Sequence, residues 1–194
     1  MTGPRDPCRA LTRRGLLGRA ALGTAAAALV TGSDLVTGVA LGQARTDDEI
    51  LTSSIALEQL AAFSYEQIAT RGSLAGGNDV AASFARQEHE HADALATVLA
   101  QRGGGVPAPP RRLKDVPGLQ RAIAGGPRTS AAFALEIEQA AVTAYYAAQG
   151  KIEHHELLRT TASIMASEAQ HLVVLRSALH RDPAPDPFVT GRRR

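Results

Sequence analysis

Residues 82–99 read ASFARQEHEHADALATVL, and residues 162–179 read ASIMASEAQHLVVLRSAL. Laid over one another at an offset of 80, they share Ala82 with Ala162, Ser83 with Ser163, Glu88 with Glu168, His91 with His171, Leu95 with Leu175 and Leu99 with Leu179. In a helix, residues three apart lie on one face, so each copy presents a Glu and a His side by side. His89 and Glu90 fall on Ala169 and Gln170 and lie off that face. They read as solvated neighbours of an inward Glu88/His91 pair.

The same offset matches LEQLAAFSYEQ (57–67) with IEQAAVTAYYA (137–147), placing Glu58 on Glu138, Gln59 on Gln139, Ala61 on Ala141 and Tyr65 on Tyr145. Glu58 and Tyr65 are seven apart, two helical turns, and share a face, as do Glu138 and Tyr145. Glu58 sits between Leu57 and Leu60, in an apolar run where an unpaired charge is costly. A lone Glu-x-x-His is most often a surface pair. The order Glu, Glu-x-x-His, Glu, Glu-x-x-His, seen at one offset, is not. Four inward carboxylates would repel one another and raise each other's pKa, and two divalent ions would supply the missing charge. Carboxylate and imidazole ligands suit iron and manganese. The sequence therefore predicts a site for two Fe (or Mn) ions, held by Glu58, Glu88, His91, Glu138, Glu168 and His171. His154 and His155 lack a counterpart and read as surface residues, and His180 is terminal to the fourth helix. Glu66 and Glu136 have no charged counterpart either.

Between the repeats the chain is helical in period. DDEILTSSIALEQLAAFSYEQIATRG predicts a first helix from Asp47, closed by Gly72. A second is expected from an Asn78 cap to Arg102, stopped by Gly103–Gly105. A third is expected after a Thr129 or Ser130 cap, ending near Gly150, and a fourth from about Glu153 to Leu179. Residues 103–128 hold five prolines and six glycines and predict an irregular link with at most a turn at Leu119–Ala124. Such a link can run the length of a helix of about 25 residues, roughly 37 Å. Two short-turned hairpins joined by one long crossover make an all-α, ferritin-like four-helix bundle over residues 45–188.

The first 44 residues read as an address. TRRGLLGRAALGTAAAALVTG (12–32) couples Arg13-Arg14 to a short, weakly apolar stretch broken by Arg19. This resembles a twin-arginine export signal, with Gly42-Gln43-Ala44 as a small-x-small cleavage point. It implies an exported protein that crosses the twin-arginine translocon already folded; an uncleaved membrane anchor is the alternative. The lone cysteine, Cys8, lies in this segment, so the mature chain has no disulfide framework or thiolate cluster. Five arginines and two acids fall in these 44 residues, leaving 16 basic and 17 acidic groups beyond. That balance argues against a nucleic-acid binder. Residues 189–194 form a short basic tail.

ALEQLAAFSYEQ, ARQEHEHADAL and TTASIMASEAQHLVVLRSAL…PDPF resemble the ferritin-like superfamily, and within it an exported ferritin-like group that includes desiccation-related proteins. The resemblance spans 47 to about 188. It implies Glu88 and Glu168 as bridging ligands, with Glu58, Glu138, His91 and His171 each on one side. It also implies Tyr65 and Tyr145 as catalytic residues near the metals, and pairing into a homodimer. The implied activity is iron oxidation or peroxide and O2 chemistry in stress protection, a ferroxidase- or peroxidase-like oxidoreductase. A dimanganese catalase is a narrower option. The alternative is a non-catalytic stress or cell-envelope protein that uses the bundle for interactions. No fifth helix-forming stretch follows Leu179, and no Cys-x-x-Cys module is present, which departs from storage cages and rubrerythrin-like peroxidases.

Overall fold

The computed structural model describes residues 46–71 and 73–191. The export segment and Gly72 lie outside the described residues. Among the described residues there are five α-helices, one 3-10 turn (Leu113–Asp115) and no strand: α1 Asp47–Arg71, α2 Asn78–Gln101, the short α3 Leu119–Ala124, α4 Pro127–Ala148 and α5 His155–Ala178. The four long ones form the bundle, and α3 lies in the crossover.

The ends of the helices show why they begin and stop where they do. Thr46 Oγ1 accepts from the Glu49 N–H and Glu49 Oε2 accepts from the Thr46 N–H, both at 3.2 Å, a reciprocal cap on α1. α2 starts after Gly77, with Asn78 already helical rather than capping. α4 starts three to four residues earlier than expected, because Pro127 occupies the first turn behind Gly126 at φ +85°. Proline's fixed φ suits that position, and its missing N–H would have no helical partner there. α5 begins at His155 rather than Glu153, because Asp47 Oδ1 and Oδ2 accept from the Glu153 and His154 N–H groups at 3.1 and 3.0 Å and hold them outside the helix.

α2 closes with the Gly103 N–H on the Ala100 carbonyl and the Gly104 N–H on the Leu99 carbonyl, each at 3.0 Å. This is the double-bonded left-handed stop, with Gly103 at φ +79°. The same pattern ends α5, where His180 takes φ +57° in the glycine's place.

Helix directions follow from which residues meet. One apolar cluster joins Leu51 and Ile55 of early α1, Leu95 and Leu99 of late α2, Tyr145 of late α4, and Leu157 and Ile164 of early α5. A larger cluster gathers the opposite ends: Ile68, Ala81, Phe84, Ala131, Ile137, Leu172 and Leu175, with Leu119 and Ala122 of α3 packed over it. So α1 is antiparallel to α2 and to α4, while α2 and α4 run parallel. Running α4 in the same direction as α2, diagonally across the bundle, requires a connection that returns the length of a helix, and the Pro/Gly-rich link supplies it. Gln59 Nε2 pins that link to α1 through the Pro107 carbonyl at 3.1 Å. After α5 the chain turns back, with Pro183–Gly191 along α5 and Gly191 against Gln139 and Thr143 of α4. No described helix is long and apolar enough to cross a membrane.

Gly103 has open space where a Cβ would stand, so its cost of substitution is backbone conformation alone. Gly103→Ala is expected to lower stability by about 1 kcal/mol, read as a lower chaotrope midpoint with an unchanged slope.

Candidate metal centre

Between the two apolar clusters lies a layer of six ionisable side chains. Glu58, Glu88, Glu138 and Glu168 are each at most 1 % exposed, a burial that carboxylates rarely accept alone. α1 supplies Glu58, α2 supplies Glu88 and His91, α4 supplies Glu138, and α5 supplies Glu168 and His171. Four different elements therefore build the layer.

The six groups resolve into two overlapping sets. In one, ligand-type atoms of Glu58, Glu88, His91 and Glu168 lie within 4.8 Å of one another; in the other, those of Glu88, Glu138, Glu168 and His171 do. Glu88 and Glu168 belong to both. Each imidazole turns its Nδ1 inward. His91 Nδ1 stands 3.1 Å from Glu168, 3.3 Å from Glu88 and 3.5 Å from Glu58. His171 Nδ1 stands 3.0 Å from both Glu88 and Glu168 and 3.5 Å from Glu138. One N–H cannot serve three acceptors. Accordingly Glu88 Oε1, Glu138 Oε2 and Glu168 Oε1 are buried without a hydrogen bond. Their lone pairs converge with an imidazole nitrogen on each side, the donor set of a hard or borderline divalent cation. The residues present fit two such ions.

Electrostatics agree. Burial, then the Glu168 charge, pushes Glu58 well above the usual carboxylate range and Glu138 up to about 8. For Glu168, burial and the Glu88 charge act upward, but hydrogen bonds from His171, His91 and Glu138 outweigh them and hold it low. Burial opposes charge on the imidazoles, yet the carboxylates win: hydrogen bonds led by Glu168 for His91 and by Glu138 for His171 push each up to about 12. Without metal, protons on Glu58, Glu138 and both imidazoles stand in for cations. Four carboxylates and two neutral imidazoles carry the formal charge that two divalent ions cancel.

Tyr65 and Tyr145 are fully buried, and each reaches across the repeat. The Tyr65 hydroxyl donates to Glu138 Oε1, and the Tyr145 hydroxyl donates to Glu58 Oε1. Burial and the adjoining carboxylate, Glu138 or Glu58 respectively, drive both phenols upward, so they stay protonated donors. All eight predicted site residues thus come together.

The excluded residues stay out. His89 pairs with Glu66 at 2.7 Å on the surface, and Glu90, His154 and His155 are exposed. Two contacts were not foreseen from the sequence. Gln87 Oε1 stands 2.6 Å from His171 Nε2, and the Phe84 ring stacks on His171 at 3.9 Å between centroids. Both positions lack a match in the second half, where Ser167 and Ile164 stand, so repeat matching passes over them.

The model of the ferritin-like domain family matches residues 46–181. No curated protein and no solved structure matches the chain. On that match, which covers all four long helices and every residue of the carboxylate layer, the chain belongs to the ferritin-like domain family.

Proposed function

We propose that the protein is an exported di-metal carboxylate protein, binding two iron or manganese ions per chain and acting as a ferroxidase or peroxide scavenger in stress protection. The single observation that carries the metal reading is the overlap of the two four-residue sets at Glu88 and Glu168. A carboxylate shared by two sets can bridge two ions. Glu58 with His91, and Glu138 with His171, then each complete one side. A bound pair of such ions supplies one-electron redox chemistry and a Lewis-acid surface for O2 or peroxide.

The chain's own contribution is order and dryness. Tyr145 and Tyr65 hold Glu58 and Glu138 by one oxygen each, leaving the other oxygen of each carboxylate for an ion. Apolar clusters above and below keep bulk water away. Where ferrous iron is the substrate, two ions give up two electrons, and one peroxide takes these with two protons to form two waters. The Arg13-Arg14 stretch supports export by the twin-arginine translocon, with the chain folded and loaded beforehand. It also supports placing the protein with the exported, desiccation-related ferritin-like group. Pairing into a homodimer is part of the same reading.

Protein folded in a host that exports it is expected to carry two Fe or Mn per chain by elemental analysis; under one per chain overturns the reading. Glu88→Gln together with Glu168→Gln removes both bridges and is expected to abolish binding of both ions. Glu58→Gln should cost one side only, by about 10- to 100-fold in affinity.

The pH dependence follows from the proton-loaded centre. Glu138, raised to about 8, keeps its proton in the folded metal-free chain above the ordinary value of 4.5, where the unfolded chain has released it. Both imidazoles do the same above 6.5. The native state thus binds more protons than the unfolded one, and metal-free stability falls as pH rises from about 4.5. Ions compete with those protons, so their binding strengthens over the same range. The rise in Tm on adding Mn2+ is therefore expected to be larger at pH 8 than at pH 6. An equal or smaller rise at pH 8 counts against ion binding in this layer.

A further inference from the structure

The two halves of the centre are built alike in their ligands but not in what holds those ligands. On the α5 side, His171 is 2 % exposed; on the α2 side, His91 is 15 % exposed. His171 is clamped on two sides. Its Nδ1 faces the carboxylates. With an ion on Nδ1 the ring would keep its proton on Nε2, which stands 2.6 Å from Gln87 Oε1, an acceptor for it. Its ring lies on Phe84 at 3.9 Å and 26°, and Phe84 in turn meets Tyr65 edge-on at 5.4 Å. Tyr65 holds Glu138, the carboxylate of the same half. Gln87, Phe84, Tyr65, Glu138 and His171 therefore form one connected brace.

The symmetric positions break the brace. Ser167 replaces Gln87 and is too short to repeat its reach, and no bond links Ser167 to His91 among the described residues. Ile164 replaces Phe84, giving an aliphatic contact in the cluster with Tyr145 but no ring to stack on His91. A hydrogen bond to the outer nitrogen of a ligating histidine fixes its tautomer and orientation and raises its basicity. A histidine without one gives up its ion more readily, and greater exposure opens a way out.

Resting on the two-ion reading above, we propose that Gln87 and Phe84 are positioning residues that make the Glu138/His171 half a tight, retained ion site, while the Glu58/His91 half is the exchangeable one. The retained ion then keeps the bridging carboxylates ordered, and the exchangeable position is where a metal substrate arrives and leaves.

Calorimetric titration of metal-free full-length protein with Mn2+ tests this. Wild type is expected to show two steps of unequal affinity. Mn2+ electron paramagnetic resonance at one equivalent should report a lone, uncoupled ion on nearly every chain, and coupled pairs only on the second equivalent. Gln87→Leu should weaken the first step by about 10- to 100-fold and leave the second within a few-fold, so that the two steps merge. Gln87→Glu, which keeps an acceptor for Nε2–H, should restore two separate steps. Two equal steps in wild type, or a Gln87→Leu variant that weakens both steps alike or neither, overturns the inequality while leaving the two-ion reading intact. A wild type that takes up no Mn2+, Fe2+ or Co2+ overturns the two-ion reading and the inequality with it.

Discussion

Four carboxyl groups in a dry interior are the constraint on which this structure turns. None of Glu58, Glu88, Glu138 and Glu168 reaches water, and an isolated buried carboxylate is too costly to keep ionised. The chain answers with two imidazoles, two phenols and protons, arranged so that each carboxyl has at least one partner and the layer as a whole approaches neutrality. Everything around the layer serves that arrangement. The helices are long enough to bury apolar residues on both sides of it. α3 covers one end, with Ser130 Oγ donating to the Ala122 carbonyl at 3.2 Å. Ion pairing of Arg102 with Asp48, and the Asp47 bonds to Glu153 and His154, close the other.

The bonds that satisfy the layer run between the hairpins as well as within them. Tyr65 of the first hairpin bonds Glu138 of the second, and Tyr145 of the second bonds Glu58 of the first. Across the same seam His91 Nδ1 stands 3.1 Å from Glu168 Oε1 and His171 Nδ1 3.0 Å from Glu88 Oε1, close approaches to oxygens that have no hydrogen bond of their own. A single hairpin would therefore expose or strand its polar face, as in repeat folds whose units cannot bury themselves alone. Fold and site share one set of contacts. The long crossover returns the chain so that α5 lies antiparallel beside α2, and this places the Glu-x-x-His pair of each helix in one layer.

The ligand layer was legible in the sequence because it is symmetric. Glu88 and His91 stood out from the other polar residues of QEHEH only when set against Glu168 and His171, and the same comparison demoted His89 and Glu90. Helix starts were less legible. Asn78, Thr129 and Ser130 are favoured cap types, but Gly77 and Gly126 take the cap positions, the latter because Pro127 is suited to the first turn. The start of α5 depends on Asp47, over 100 residues away in sequence, and no local pattern encodes such a bond. The true cap of α1, Thr46 with Glu49, did follow a local pattern, three residues from hydroxyl to carboxylate. It was hidden by the more conspicuous pair of aspartates between them.

Gln87 illustrates the limit of reading by symmetry. It is the first residue of QEHEH and sits beside a ligand, yet a repeat comparison discards it because Ser167 is its counterpart. The same filter discards Phe84 against Ile164. A duplicated hairpin begins with two equal half-sites, and equality suits a bridge, since both ions need the same ligands. It does not suit a centre that must keep one ion while another comes and goes. That task requires the halves to differ while the ligands stay the same. The difference must then lie one residue further out, in the groups that hold the ligands, and there the two halves of this chain part company.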